Sequence, residues 1–331
     1  MQRSKPWDAV IIGGGMAGLS AAIYLARARR ETLVVDAGKS LARCVPDVEN
    51  YLGFPHGIAG EELLLRGHEQ AMHYGAVFAD DMIEALRHAP HGVFQAVGKQ
   101  EVYEARRVLL ATGIYHLPPD IPGVRECLGH SMFFCKDCDG CRCEGKRIGI
   151  FGWNNEAVEF ALAMLLYSPC VFIFQNGHES QWSTRHEQWL REYEIPVYPD
   201  KVIDVHHESG DVRWLELEGD VRVELDALFT VRGDVYHNKL AQQVSAGTND
   251  NGEVRVSDGM QTTVPGLYAA GCVTPANCQM IIAAGDGATA AQAINRSLFE
   301  EDLETHSLHR YRKNQLEHCE TEPPVEAVTT T

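Results

Sequence analysis

Apolar residues in this chain gather in short runs bounded by glycine or charge. Residues 8–12 form the first, with the length and content of a buried strand. The run enters Gly13-Gly14-Gly15-Met16-Ala17-Gly18, and a helix is predicted over 19–29 with small residues toward the sheet. Residues 32–35 read as a second strand, ending in Asp36. The same order returns further on: a strand over 147–151, the turn Gly152-Trp153-Asn154-Asn155-Glu156-Ala157, a helix to about Tyr167 and a strand over 170–174. Residues 266–271 read as a short strand ending in glycine. Residues 279–298 read as a helix whose Gly285, Gly287 and alanines allow close packing. Past Glu300 the chain turns polar and ends in Pro323-Pro324 and three threonines, so residues 319–331 are expected to form a mobile tail.

Gly13, Gly15 and Gly18 carry dinucleotide-binding spacing. The three glycines allow a tight turn, backbone approach to a pyrophosphate, and close helix–strand packing. The anion sits at the helix N-terminus, where free N–H groups and the helix dipole favour it. Asp36 lies 21 residues after Gly15, placed to accept bonds from a ribose. The second unit keeps the architecture and loses the chemistry. Asn154 stands at the middle glycine, where a side chain obstructs a pyrophosphate. The strand ends in Gln175-Asn176-Gly177, with no acid for a ribose and no adjacent arginine for a 2′-phosphate. Two readings stay open there: a structural domain that binds nothing, or a modified nucleotide site stacking on Trp153. The expected fold is α/β, with two Rossmann-like domains of the three-layer ββα type. The first domain, 1–116 and 246–318, is interrupted by the second, 117–245.

The 331 residues carry 46 acidic and 29 basic side chains, a net charge of −17 that excludes general nucleic-acid affinity. No apolar run approaches the ~20 residues of a membrane span. Arg3 and Lys5 before an apolar run imitate a signal peptide, but Asp8 intervenes and the run carries a glycine fingerprint, so that reading is rejected. Of ten cysteines, Cys135, Cys138, Cys141 and Cys143 fall within nine residues. Without a secretion signal this cluster points to redox or metal chemistry rather than a disulfide framework, and to the cytoplasm. Cys135 and Cys138 make a Cys-x-x-Cys pair suited to thiol–disulfide exchange, with Asp139 placed to move the proton. The continuation through Cys141 and Cys143 matches neither zinc-ribbon nor ferredoxin spacing, so no metal site is expected. Those two are a second exchange pair or thiols without a role, and Cys319 is a relay or idle. His206, His207, His306 and His309 read as surface residues.

Together, Gly13 to Gly18, Val48-Glu49-Asn50-Tyr51-Leu52-Gly53-Phe54-Pro55, Ala111-Thr112-Gly113, Cys135-Lys136-Asp137-Cys138-Asp139-Gly140 and Ala283-Ala284-Gly285-Asp286-Gly287-Ala288 resemble the low-molecular-weight thioredoxin reductase family of flavoproteins, over about residues 8–300. The resemblance implies FAD held by Gly13, Gly14, Gly15, Met16, Ala17, Gly18, Asp36, Ala37, Asn50, Thr112, Gly113, Gly271 and Cys272. The flavin's pyrimidine end would face the helix starting at Gln279 and Met280. It also implies that Cys138 faces the flavin, that Cys135 attacks the substrate, and that the protein is a homodimer.

The chain departs from the family pattern at several points. Lys39-Ser40-Leu41 stands where the family has Gly-Gly-Gln. Cys272 replaces the flavin-binding aspartate, Cys278 replaces the arginine before Gln279, and the NADPH glycines and basic cluster are missing. FAD binding is expected to survive these changes and NADPH binding is not. The expected function is FAD-dependent exchange with a thioredoxin-like dithiol protein, fed by ferredoxin or through a second flavin. An acidic ferredoxin would need a local basic patch, for which Arg27-Arg29-Arg30, Arg106-Arg107 and Arg310-Arg312-Lys313 are candidates. The alternative is a flavin dithiol oxidase of a small-molecule dithiol using oxygen, a class expected to carry histidine where Asp139 stands. A non-enzymatic flavin-bound redox sensor is a third class, and the retained cysteines and Asp139 speak against it.

Overall fold

The computed structural model describes residues 5–319. The chain divides into two compact units. The first contains the chain up to Gly38, Gly67–Thr112 and the chain from Asn238 onward. The second contains Lys39–Arg66 and Gly113–His237. The crossings at 112/113 and 237/238 precede the expected divisions at 116/117 and 245/246, and Lys39–Arg66, expected in the first domain, groups with the second unit. The paired strands Ile114–His116 and Asp234–Tyr236 hold both connecting segments to the second unit.

A seven-stranded sheet organises the first unit. Trp7–Ile12 lies at its centre, flanked in parallel by Thr32–Asp36 and Val102–Leu110, with Leu267–Ala269 parallel beyond the latter. Phe94–Gly98 and Ile83–His88 continue the sheet antiparallel. The register aligns Ile12 with both Val35 and Leu110, and Leu110 with Ala269. Four strand ends therefore open on one edge, where ligands of open α/β sheets bind. Three bonds carry the chains past that edge: Gly13 N–H to Val35 O at 2.9 Å, Ala111 N–H to Ile12 O at 2.9 Å, and Ala270 N–H to Leu110 O at 3.0 Å.

Two helices pack beside this edge, Met16–Arg27 and Met280–Glu304. Both run longer than the sequence pattern suggested at one end, because helical geometry needs only small or apolar side chains in the glycine-rich first turn and tolerates the polar last turns of the second helix. Gly287 has no room for a side chain, since a Cβ there would overlap the Ala17 carbonyl. The helices meet through this gap, with Ala283, Ala290 and Ala291 buried along the same helix.

A half-buried ion-pair network closes the far side of the unit. Arg106 pairs with Asp8 and Asp302 at 2.8 Å each and Glu301 at 3.0 Å; Arg30 reaches Asp302 and Arg107 reaches Glu301. Arg30, Arg106 and Arg107 are thus neutralised by neighbours and do not form the free basic patches considered from sequence. Arg310 and Arg312 are exposed on the Ser307–Cys319 helix.

The second unit contains a five-stranded parallel sheet, in the order Val197–Tyr198, Val171–Phe174, Ile148–Phe151, Ala227–Thr230, Met132–Phe133. It is accompanied by an antiparallel three-stranded sheet over Val202–Glu208, Asp211–Leu217 and Val221–Glu224. His206, read from sequence as a surface residue, bonds Glu216 at 2.9 Å and stacks on Trp214, because cross-strand pairing brings all three to one face. Among the described residues, no helix is long and apolar enough to cross a membrane. The tail beyond Cys319 lies outside the described residues.

Gly287→Ala is expected to lower stability by about 1–3 kcal/mol, the range for overpacking against an immobile neighbour. This outweighs the roughly 0.5–1 kcal/mol that alanine gains over glycine inside a helix. Gly285→Ala, with open space around its Cβ, should show the gain alone. Urea midpoints at unchanged slope measure both.

Candidate active site

The Gly13 loop forms because three backbones pass too closely for side chains. Gly13 has φ +111°, and a Cβ on it would overlap the Ala111 carbonyl; a Cβ on Gly18 would overlap the Gly13 carbonyl. A Cβ on Gly14 would crowd the Asp36 carboxylate, which accepts the Gly14 N–H at 3.1 Å. Gly15 caps the Met16–Arg27 helix without a side-chain bond, and no acid occupies the first turn. The first helical bond runs from Leu19 N–H to Gly15 O. The N–H groups of Met16, Ala17 and Gly18 therefore have no acceptor in the helix and favour an anion.

The structure brings Gly13 to Gly18, Asp36, Ala37, Thr112, Gly271, Cys272, Gln279 and Met280 together in the first unit. Asn50, which is exposed, and Gly113 belong to the second. Gly271 takes φ +75° against Ala17 and Ala283. Its N–H is held by Asp286, whose carboxyl is raised above the usual carboxylate range by burial. The other oxygen of Asp286, Oδ2, is buried and unbonded. An acceptor left bare in such a place is costly unless a ligand donates to it. These residues suit FAD: the Met16–Gly18 amides would hold its pyrophosphate, Asp36 its ribose, and Asp286 a hydroxyl or ring N–H. Sequence reasoning did not single out Asp286 as a candidate contact. The signal available was its carboxylate within the Ala283–Ala288 motif, in a chain where Cys272 replaces the family's aspartate.

Cys272 and Cys278 form a disulfide across the loop that leads into Met280–Glu304. This pairing was not anticipated, because the two cysteines were read one at a time against the residues they replace. Their joint replacement was the available clue.

The redox pair lies in the second unit. Cys135 and Cys138 are disulfide-bonded and half-buried at the start of the Lys136–Asp139 helix. The Cys138 N–H donates to Cys135 Sγ at 3.1 Å, and the Asp139 N–H donates to the Cys135 carbonyl. Gly140 must be glycine, since a Cβ would strike the Lys136 carbonyl and the Tyr167 ring. The Asp139 carboxyl is pushed up to about 6 by burial and by the nearby Glu49, although Arg142 at 3.6 Å opposes this. Asp139 thus exchanges a proton near neutrality, as a group serving a thiolate must. Next to Cys135, Phe134 stacks on His116, and His116 bonds Asp234 at 2.6 Å. Cys141 is exposed. Cys143 is buried, and its thiol is pushed up to about 11, which makes it a poor nucleophile.

The second glycine loop repeats the backbone of the first: Gly152 N–H bonds Phe174 O at 3.2 Å, as Gly13 bonds Val35. Here the Asn154 side chain accepts the Ala157 N–H at 3.1 Å and caps the Asn155–Met164 helix. Asn155 Oδ1 accepts the Ser183 N–H, and Trp153 O accepts the Gln181 N–H. One face of Trp153 is covered by His178, ring centroids 3.7 Å apart. Gln175 is buried and donates to Ser180.

A dinucleotide cradle in one unit and a half-buried exchangeable disulfide in the other define a flavin-dependent disulfide oxidoreductase. Residues 7–294 match the pyridine nucleotide-disulphide oxidoreductase family, and the chain belongs to it. It is 30% identical to a thioredoxin reductase of Bacillus subtilis over 318 residues, covering 92% of this chain and 99% of that one. Among solved structures it resembles HlmI, with TM-score 0.87, 29% identity and coverage of 95% and 99% of the two chains. It also resembles a putative thioredoxin reductase TrxB from Bacillus anthracis, with TM-score 0.83, 28% identity and coverage of 89% and 99%. The protein is a thioredoxin reductase-like, FAD-dependent disulfide oxidoreductase.

Asp139→Asn should remove a kinetic inflection near pH 6. Steps needing the protonated carboxyl, such as protonating a departing thiolate, fall as pH rises through that value in the wild type; the reverse steps rise. Rapid-quench exchange rates across pH 5–8 check this, and an unchanged inflection in the variant assigns it elsewhere. Asp286→Ala should weaken FAD retention roughly 10- to 100-fold, the loss of a bond worth about 1.5–3 kcal/mol to a charged acceptor. Ultrafiltration of released flavin measures it.

Proposed function

We propose that the protein moves electron pairs between FAD and the disulfide of a thioredoxin-like protein through Cys135 and Cys138, without NADPH. The observation that carries the NADPH part is the Asn154 cap. Its side chain takes the Ala157 N–H, and its bulk stands where a pyrophosphate needs bare backbone. The neighbouring ties from Asn155 to Ser183 and from Trp153 to Gln181 support the same reading. Gln175, spent on Ser180, offers no acid for a ribose diol.

The exchange runs on the chain's own sulfurs. The Cys135 thiolate attacks one sulfur of the substrate disulfide, and the other substrate sulfur departs as thiolate. Asp139 supplies a proton to a departing thiolate. Cys138 then attacks the Cys135 sulfur, which releases the substrate as a dithiol and closes Cys135–Cys138. FAD held by the first unit, once reduced by its donor, would supply the electron pair that reopens this disulfide. Asn50 and Gly113 would complete the cofactor's contacts and the protein would act as a homodimer, as the family resemblance implies; the cysteine usage favours the cytoplasm.

For the electron source we favour a ferredoxin. The overall charge of −17 repels an acidic donor, so docking must use a local positive potential. With Arg30, Arg106 and Arg107 engaged in ion pairs, the exposed Arg27, Arg29, Arg310 and Arg312 are the candidate site. A second flavin is the other donor arrangement, and counting flavins per chain after denaturing extraction separates the two.

Neither NADPH nor NADH should reduce the flavin at physiological concentration. Losing one charge-assisted phosphate contact costs about 1.5–3 kcal/mol, or roughly one to two decades of affinity, before the steric effect of Asn154. Anaerobic stopped-flow decides it: rapid bleaching of the flavin band by either nucleotide overturns the donor argument.

A further inference from the structure

We propose that Cys272–Cys278 is a second redox-active disulfide, which exchanges an electron pair with a dithiol and so opens and closes the loop before the Met280–Glu304 helix. The proposal does not depend on which donor reduces the flavin.

The two cysteines are six residues apart with their Cα atoms at 4.8 Å. Cys272 sits on the fixed side of the loop. Ala270 N–H bonds Leu110 O, Val254 N–H bonds Val273 O, and both the N–H and the hydroxyl of Thr274 bond Gly271 O. Cys278 sits on the other side, where backbone bonds are local: Ala276 N–H to Thr274 O and Gln279 N–H to Asn277 O. The disulfide joins these two sides. Breaking it releases the turn between them while the sheet side stays in place.

Three features favour exchange over a purely structural cross-link. The ring is short, and a cross-link limits the unfolded chain less the fewer residues it closes. Both cysteines are half-buried and flank a turn with exposed Pro275 and Asn277, whereas Cys127 and Cys143 are buried. Cys278 also directly precedes the N-cap of a 25-residue helix. That first turn contains no acid, and the Gln279 side chain makes no capping bond. The first-turn N–H groups, which have no acceptor within the helix, and the helix dipole favour negative charge there and make Cys278 the better leaving thiolate. The helix's first acid, Asp286, lies beyond that turn and is held on the Gly271 N–H.

The step follows from this polarity. One thiolate of the incoming dithiol attacks Cys272 Sγ; the Cys272–Cys278 bond breaks and Cys278 leaves as thiolate. The second thiol of the dithiol, as thiolate, then attacks the sulfur joined to Cys272, and Cys272 departs. The dithiol ends as a disulfide, having lost two electrons and two protons. Cys272 and Cys278 end as two thiols.

Wild-type holoprotein, incubated in native buffer at graded ratios of reduced to oxidised dithiothreitol, then alkylated and mapped by mass spectrometry, tests this directly. Peptide mapping distinguishes this pair from Cys135–Cys138, so failure of one leaves the other readable. The expected result is joint alkylation of Cys272 and Cys278 with a midpoint inside the dithiothreitol range and no loss of fold by circular dichroism. A pair that opens only after denaturation is a structural staple, and a pair alkylated without reductant is never bonded; either result overturns the proposal. At pH 7, Cys278 in Cys272→Ser should alkylate at least about tenfold faster than Cys272 in Cys278→Ser, the effect of a helix N-terminus on thiolate content. Equal or reversed rates overturn the assigned polarity.

Discussion

The site in the first unit depends on how closely three backbones pass at the edge of the sheet. The Gly13 turn runs against the carbonyl of Ala111, and Gly18 runs against the carbonyl of Gly13. Side chains at either position would push the Met16–Arg27 helix away from the strand ends. The helix N-terminus would then no longer stand beside Asp36, and its free amides would face water instead of a ligand. Gly287 extends the same constraint to the second helix, which approaches over Ala17. Gly271, Gln279, Met280 and Asp286 are positioned by that approach, so one packing requirement sets both ends of the cradle.

The second unit shows the same scaffold released from that requirement. Its turn keeps the strand-to-strand bond from Gly152 to Phe174. Ala157 packs against Gly152 where the first unit has Gly18 against Gly13, and the Asn154 side chain caps the Asn155–Met164 helix by accepting the Ala157 N–H. That bond satisfies one of the helix's orphan amides from within the chain. In the first unit Gly15 makes no such bond, and the corresponding amides stay without an acceptor in the helix.

This contrast explains what the sequence could reveal. Short apolar runs, glycine spacing and a terminal acid are local signals, and they located the strands, both turns and the position of Asp36 beside the first turn. The Cys135–Cys138 pair was equally local. Cys272–Cys278 and Asp286 were not. Each makes sense only once the Leu267–Ala269 strand end and the Met280–Glu304 helix are seen together, because the bond from Gly271 to Asp286 and the disulfide both span the intervening loop. The fate of Arg30, Arg106 and Arg107 was hidden for the same reason. Their partners Asp302 and Glu301 lie nearly 200 residues or more away in the chain.

Burial then sorts the cysteines and acids by reactivity. Cys143 and Cys127 are enclosed and their thiols are pushed up, so the thiolate that exchange needs is scarce. The bonded cysteines are half-buried: open enough for a partner sulfur, enclosed enough to hold one geometry. Asp139 occupies the same intermediate zone. Burial alone would raise its carboxyl further, and Arg142 pulls it back to about 6. Full exposure would leave it ionised at neutral pH and unable to give a proton; full burial without Arg142 would hold the proton too firmly to return it. The close fit of Gly140 against Tyr167 fixes the segment that holds this balance. The ionisation of the carboxyl next to Cys138 therefore depends on packing two residues beyond that cysteine.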